Sequence, residues 1–308
     1  MKILTPLFLI PIFLLGCQPQ ESKDSPAAET PQITVTTHTF ATHADTALAL
    51  DFYLPNDTAG QWPLVVYVHG GGFYEGVRDS EEVVEFAMSL AEAGFAVASV
   101  DYRLTMQAVG LGCDVPAADK QAAFDAGATD VGRALAFILG SPQLFPIDAE
   151  QVVLAGSSAG AETVLNLAFA HGSPDLPANF QPAGLISMAG ALYTLDSLDA
   201  SRLIPTLLFH GTADPWVPFG AASHHFCEPE EPGHWMLYGS AAIARRLEAL
   251  GGSYFLYSVI AGNHDWATLP MKRNLDDILD FLHRDAVNPK EIRQTERTVN
   301  PQGLSIVK

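Results

Sequence analysis

Basic residues are scarce in this chain of 308 residues, which has 16 lysines and arginines against 35 aspartates and glutamates. The formal net charge of −19 opposes binding to the phosphate backbone of nucleic acids and to anionic lipid surfaces. The composition therefore argues against a nucleic-acid-binding protein and against membrane attachment through a basic patch. Internal repeats are also lacking, and low-complexity sequence is limited to residues 18–32.

The chain also lacks a compact metal-binding motif, although it has 10 histidines. His224, His225 and His234 share one segment, but they lack the ligand spacing and the carboxylate or thiolate neighbours of a zinc site. We therefore expect no bound metal, and we expect no other cofactor.

The apolar stretch at residues 3–15 is too short to cross a bilayer as a helix and has the length of a signal-peptide core. It ends in Leu-Leu-Gly-Cys at residues 14–17, which resembles a bacterial lipobox. The resemblance implies cleavage before Cys17 and acylation of that residue. The alternative is an ordinary signal peptide with an incidental cysteine.

These N-terminal features predict a location. Residues 1–16 read as a signal peptide, and residues 17–32 read as a lipidated cysteine followed by a polar, proline-bearing flexible tether. We expect the protein in the bacterial cell envelope, held by its lipid anchor at the outer membrane or the periplasmic face rather than in the cytoplasm.

The most specific signal in the chain is Gly-Ser-Ser-Ala-Gly at residues 156–160. An apolar run at 151–155 precedes it and a helix-like segment at 161–169 follows it. A strand, then G-x-S-x-G, then a helix is the sequence form of a nucleophile elbow. Ser158 holds the central position and Ser157 does not; the alternative is an ordinary Gly/Ser turn.

Three further polar motifs each follow an apolar run that predicts a buried strand. His69 and three glycines follow residues 63–68, Asp214 follows residues 204–210, and His264 follows residues 254–260. Glycines let backbone N–H groups turn towards a ligand, where they can stabilise an oxyanion. Serine, acid and histidine in this chain order are typical of α/β-hydrolases.

At these motifs the chain resembles the α/β-hydrolase superfamily, and within it the HGGG-type esterases and carboxylesterases. The resemblance runs from about residue 33 to about residue 284 and includes Asp-Tyr-Arg-Leu at 101–104. It implies Ser158 as nucleophile, His264 as general base and Asp214 as the acid that orients the base. It also implies an oxyanion hole made by the backbone N–H groups of Gly71, Gly72 and Ala159.

The assignment of the acid leaves alternatives open. Asp265 adjoins His264 in sequence, but a neighbouring residue rarely points its carboxylate at the adjacent ring. Some relatives take the acid from an earlier loop, which would be Asp196 or Asp199 here. We expect His69 to hold the glycine loop and His210 to pack at the end of its strand.

The pattern of elements predicts an α/β fold with a mostly parallel central sheet, helices on both faces and little or no cap domain. A strand pair at 33–40 and 47–54 begins it, followed by alternating strands and helices. We expect the α/β-hydrolase catalytic domain at residues 33–286. Residues 287–308 form a polar C-terminal tail that the sequence does not place.

The expected activity is that of a serine hydrolase on short acyl or aryl esters, which could be linked to carbohydrate. A serine peptidase of the same fold and a non-catalytic surface-binding lipoprotein are the alternatives. Five aromatic residues beside the catalytic loops could line a substrate pocket or simply pack the loops together: Phe73, Tyr74, Trp216, Phe219 and Trp266.

Acylation of Cys17 would leave two cysteines, Cys113 and Cys227, in a compartment where disulfides persist. Both lie in segments expected to leave the carboxyl edge of the sheet, where the catalytic residues are predicted. We therefore predict a Cys113–Cys227 disulfide that ties these segments into a rim over Ser158. The alternative is two unpaired buried thiols.

Overall fold

The structure, a computed structural model, describes residues 1–2, 32–44, 46–56 and 60–302. Pro31–Lys308 group as one compact unit, and the unit before it, Met1–Thr30, lies almost entirely outside the described residues. Apart from residues 1–2 and 32, the predicted signal peptide and the predicted tether with Cys17 therefore fall outside them too.

A sheet of nine strands forms the centre of the molecule, in the order β1-β2-β4-β3-β5-β6-β8-β11-β12. β1 pairs antiparallel with β2, and β2 pairs antiparallel with β4. All other neighbours are parallel. The nine strands are β1 Ile33–His43, β2 Thr46–Pro55, β3 Trp62–Val68, β4 Ala96–Val100, β5 Ile147–Ser157, β6 Gly184–Met188, β8 Thr206–Gly211, β11 Tyr254–Val259 and β12 Gln294–Val299.

The apolar runs form strands because the sheet is covered on both faces. In β3, Leu64 and Val66 contribute to one hydrophobic core, while Val65 and Tyr67 contribute to the core on the opposite face. Successive side chains of a strand point to opposite faces, so a strand between two helical layers must be apolar throughout. All five residues of β4 are buried for the same reason.

Among the described residues, six α-helices flank the sheet: α1 Glu81–Glu92, α2 Ala117–Leu139, α3 Ala159–Asn166, α4 Ser240–Leu250, α5 Leu269–Arg273 and α6 Leu275–Phe281. α1 buries Val83, Phe86, Ala87, Leu90 and Ala91. α2 is the longest of them, with 23 residues. No helix within the described ranges combines the length and apolarity needed to cross a membrane.

Two parts of the fold were not predicted. A second, three-stranded sheet forms beside the main one, in the order β7-β10-β9, from Ala191–Leu192, Met236–Gly239 and Ala221–Ser223. In addition, the segment that the sequence left as a C-terminal tail supplies β12, which pairs parallel with β11. The sheet therefore extends past residue 286, the end predicted for the catalytic domain.

The parallel strands determine where the chemistry lies. β3, β5, β8 and β11 all run in one direction, so their carboxyl ends lie along one edge of the sheet. His69, Ser158, Asp214 and His264 each follow one of these ends within five residues. Residues separated by up to about two hundred positions in sequence are thereby brought to one edge.

Candidate active site

Ser158 occupies a sharp turn between β5 and α3, with φ 49° and ψ −122°. A residue with a side chain rarely adopts positive φ, so the surrounding structure must impose this conformation. The flanking glycines permit it. A Cβ at Gly156 would overlap the backbone of Gly160, and a Cβ at Gly160 would overlap the carbonyl of Val68.

Ser158, His264 and Asp214 form a hydrogen-bonded relay. The Ser158 Oγ lies 2.8 Å from His264 Nε2, and His264 Nδ1 lies 2.6 Å from Asp214 Oδ2. The arrangement requires the tautomer in which Nδ1–H donates to Asp214 while Nε2 accepts from the serine hydroxyl. The structure thus brings together the nucleophile, base and acid assigned by resemblance, and it uses neither Asp265 nor the earlier aspartates for the relay.

Asp214 is held in its ionised form by its surroundings. The backbone N–H groups of Trp216 and Val217 donate to Oδ1 over 2.9 Å and 3.0 Å. Burial opposes ionisation, but hydrogen bonds from His210 and His264 outweigh it and hold the pKa of the Asp214 carboxyl well below its usual range. A fixed negative charge is what the acid of such a relay must supply.

His210 has a closer role than the packing role expected from the sequence. Its Nε2 lies 3.4 Å from Asp214 Oδ2 and 3.1 Å from the carbonyl oxygen of Val217, and its Nδ1 lies 2.9 Å from Ser240 Oγ. The side chain is fully buried. The signal in the sequence was the spacing His-Gly-x-x-Asp at residues 210–214, which places both residues at the end of β8.

The glycine loop after β3 presents its backbone towards Ser158. Gly71 has φ 114° and Gly72 has φ 58°, and a Cβ at Gly71 would overlap the Glu75 carbonyl. The N–H groups of Gly71, Gly72 and Ala159 donate to no other residue that the structure describes. Unpaired N–H groups beside a nucleophile are the donors that an oxyanion needs.

His69 and Tyr102 support this loop. The His69 ring stacks on Tyr102 with ring centroids 4.6 Å apart, and its Nδ1 lies 2.6 Å from the Gly70 carbonyl oxygen. Burial lowers the pKa of His69, which keeps the ring neutral. The Tyr102 hydroxyl donates to the His69 carbonyl over 3.1 Å. The tyrosine of the Asp-Tyr-Arg-Leu segment therefore fixes the start of the loop that carries Gly71 and Gly72.

A cavity of about 910 Å³ opens over Ser158. Two of the five aromatic residues considered for the substrate pocket, Tyr74 and Trp216, line it. Trp216 is 55% exposed, and its ring lies 4.9 Å from that of His264.

The other three aromatic residues do not line the cavity, which corrects the prediction. Phe73 is fully buried and packs on Phe124, with ring centroids 4.9 Å apart. Trp266 is buried and stacks on Tyr257, and Phe219 packs against His210. These rings hold the catalytic loops together, which was the other interpretation of their position.

Cys113 and Cys227 are joined in the disulfide expected from the sequence, with Cα atoms 5.3 Å apart. Their neighbours Gly112, Asp114 and His225 line the cavity. The bridge therefore connects two walls of the site, from the segment after β4 and the segment after β9.

The three histidines considered as metal ligands do not form a ligand cluster. His224 and His225 are neighbours in the cavity wall, but His234 Nδ1 lies 3.0 Å from the carbonyl oxygen of Cys227. Within the described part of the chain, the group with ligand atoms close enough for a metal is Cys113, Cys227 and Glu231, and its two sulfurs are bonded to each other.

Parts of the sequence are similar to a protein-family model and to known esterases. Residues 50–187 match the BD-FAE family model. The chain is 32% identical over 112 residues to an isoprenylcysteine alpha-carbonyl methylesterase from Arabidopsis thaliana, which is 36% of this chain and 22% of that protein. It is 32% identical over 140 residues to esterase B1 from Culex pipiens, which is 46% of this chain and 24% of that protein. The matches thus span about a quarter of these relatives' length.

Solved structures resemble nearly the whole described fold. The propionate-bound esterase Est2 from Thermogutta terrifontis aligns with a TM-score of 0.59 and 20% identity, over 85% of this chain and 98% of that one. A bacterial heroin esterase aligns with a TM-score of 0.56 and 20% identity, over 82% and 84%. The order of the sheet, the elbow at Ser158 and these likenesses together identify the chain as an α/β-hydrolase by fold.

Proposed function

We propose that this protein is a serine carboxylic-ester hydrolase that acts through an acyl-enzyme. The observation that carries the proposal is the relay from Ser158 Oγ to His264 Nε2 at 2.8 Å and from His264 Nδ1 to Asp214 at 2.6 Å. A serine hydroxyl is a poor nucleophile until a positioned base takes its proton, and this geometry supplies that base.

In the acylation step, Ser158 Oγ attacks the ester carbonyl carbon while its proton passes to His264 Nε2. The N–H groups of Gly71, Gly72 and Ala159 receive the negative charge that develops on the carbonyl oxygen. Asp214 stabilises the transient imidazolium of His264. The tetrahedral species collapses when His264 returns the proton to the departing alkoxide, leaving the acyl group on Ser158 and releasing the alcohol.

In the deacylation step, water replaces the alcohol. His264 takes a proton from the water, whose oxygen attacks the acyl carbon, and the same backbone donors hold the second oxyanion. His264 then protonates Ser158 Oγ as the carboxylic acid leaves. Both steps use His264 as the base and the same backbone N–H donors, so one arrangement of these groups suffices for the whole catalytic cycle.

The proposed substrates are esters of short acyl or aryl acids. The similar proteins named above are esterases, and the structures of the Thermogutta enzyme include propionate-bound and butyrate-bound forms. We extend the proposal to esters carried by carbohydrate, because the exposed faces of Tyr74 and Trp216 border the cavity. Aromatic faces of this kind suit broad, partly apolar groups.

A matched panel of esters and amides with the same acyl groups tests this proposal. The protein should hydrolyse short-chain esters and leave the matching amides intact. A protein that cleaves amides at comparable kcat/KM would be a peptidase, and one that cleaves neither while binding the compounds would be a binding protein. Ser158→Ala protein measures the background in each assay.

We further propose that the protein is anchored in the bacterial cell envelope through acylated Cys17. Support comes from the Leu-Leu-Gly-Cys segment and from the Cys113–Cys227 disulfide, a bond that persists in oxidising compartments. Membrane fractionation of wild-type and Cys17→Ser protein tests it. Wild-type protein should fractionate with membranes, and the variant should be released or left unprocessed.

A further inference from the structure

Glu162 is a buried acid in the wall of the catalytic cavity to which no role has been given so far. It lies one helical turn after Ser158 in α3, a helix whose eight residues are all buried. Its side chain is 1% exposed and borders the cavity over Ser158. The Glu162 backbone N–H donates to the Ser158 carbonyl oxygen over 2.9 Å, so the first turn of α3 holds the two residues next to each other.

The carboxyl group of Glu162 has no hydrogen-bonding partner in the described protein. Its Oε1 is fully enclosed without a partner, and no described residue donates to Oε2. Asp214, by contrast, accepts from two backbone N–H groups and from His264. A buried polar group without a hydrogen-bonding partner destabilises the folded state by about 1–3 kcal/mol, so the position of Glu162 needs an explanation.

The two carboxyl groups therefore differ in protonation. Burial, together with the negative charge of Asp214, raises the pKa of Glu162 well above its usual range. Hydrogen bonds hold the pKa of Asp214 below its usual range in spite of burial. The raised pKa of Glu162 favours its neutral form, which has one O–H to donate, while the lowered pKa of Asp214 keeps that residue an anion. Carboxyl groups whose surroundings push their pKa values apart are typical of acid–base assignments in active sites.

We propose that Glu162 is a further catalytic residue, which donates a hydrogen bond to an oxygen of the ester group held at Ser158. The proposal rests on the esterase function proposed above. Negative charge grows on the ester oxygens as Ser158 attacks, so a neutral donor in the cavity wall strengthens its bond in the transition state. An ionised carboxylate at the same place would repel that charge.

The proposal predicts a dependence on pH that belongs to Glu162 alone. The titratable groups that act on it are Asp214, after β8, and Tyr102, after β4. His69 and Tyr67 border the same cavity from β3 and the loop after it. Burial raises the pKa of Tyr102 and Tyr67, and it lowers the pKa of His69. A loss of activity with rising pH that Glu162→Gln removes therefore reports the Glu162 proton.

The test compares two replacements of similar size. Glu162→Gln keeps a neutral hydrogen-bond donor, whereas Glu162→Met removes it. With a short-chain ester, we expect kcat/KM of the Gln variant to stay within about threefold of wild type and that of the Met variant to fall about 10- to 100-fold. Asp285→Asn is the matched control, since Asp285 is a buried carboxyl with a raised pKa that lies away from the cavity.

The pH profile separates a donor from a residue that only packs. Wild-type kcat/KM should fall as Glu162 loses its proton with rising pH, and the Gln variant should keep its activity over the same range. Coincident pH profiles of the wild-type and Gln enzymes would overturn the proposal, as would equal losses in the Gln and Met variants. If the Met variant does not fold, the wild-type and Gln profiles decide. Failure of wild-type protein to hydrolyse any ester would instead refute the proposed function itself.

Discussion

Asp214 Oδ2 is approached by two histidine rings, His264 Nδ1 at 2.6 Å and His210 Nε2 at 3.4 Å. The first ring belongs to the proposed catalytic relay. The second is fully buried and lies between Asp214, Ser240 and the Val217 carbonyl. His210 therefore fixes the carboxylate that in turn orients the base.

Replacing His210 should slow the reaction without weakening substrate binding. In His210→Asn protein, Asp214 loses one of its two histidine contacts, so His264 is held less well for proton transfer. We expect kcat to fall about tenfold with KM nearly unchanged, because misplaced catalytic groups cost rate rather than affinity. His283→Asn, at an exposed position, serves as the control. An unchanged kcat in His210→Asn would show that the contact has no catalytic consequence.

Substitution of an elbow glycine should destabilise the whole domain. A Cβ at Gly160 would overlap the carbonyl groups of Val68 and His69 at the end of β3, and these backbone atoms cannot turn aside as a flexible side chain can. We expect Gly160→Ala to lower the free energy of unfolding by more than about 2 kcal/mol, measured by urea denaturation. Gly220→Ala is the control, because a Cβ there meets open space. Similar stability of the two variants would contradict the packing described for the elbow.

The sequence predicted more of the main sheet and of the relay than of the surrounding walls. Apolar runs such as Leu64–Val68 are driven out of water, so the local sequence was enough to predict that they form buried strands. The direction in which an aromatic ring points could not be predicted from the local sequence. Phe73 is adjacent to the glycine loop, yet its ring points into the core. β12 was missed because Gln294–Val299 is polar and exposed along much of its length, as an edge strand can be. Glu162 lacks a hydrogen-bonding partner because of the way α3 packs, and no sequence motif predicts that packing.

Removing the disulfide should loosen the cavity walls more than the relay. The bond closes a segment with a sequence separation of 114 residues. We expect the Cys113→Ser/Cys227→Ser double variant to lose roughly 2–5 kcal/mol of stability. Thermal melts with and without reductant should differ for wild type and coincide for the variant. The ratio of kcat/KM between bulky and small esters should change more than kcat for the smallest ester. Two free thiols titrating in the denatured, unreduced wild-type protein would rule out the bond.

Glu162 should make the folded state less stable as pH rises. The unfolded chain loses the Glu162 proton near the usual pKa of 4.5, but the folded state keeps it because burial raises the pKa. Between these two pKa values the unfolded state binds fewer protons, so the free energy of unfolding decreases with increasing pH. Glu162→Gln removes this term, and its stability should depend less steeply on pH above about 4.5. Parallel pH–stability curves for the two proteins would show that Glu162 ionises freely in the folded state.

The central claim is that Ser158 is the nucleophile, and covalent labelling tests it most directly. A fluorophosphonate should add one group to the wild-type protein, with the adduct mapped by peptide mass spectrometry to Ser158. Ser157→Ala should label and turn over esters nearly as well as wild type, whereas Ser158→Ala should do neither. His264→Ala should be about as inactive as Ser158→Ala, since the two act as a unit. An adduct on another residue, or substantial ester turnover by Ser158→Ala protein, would contradict the account.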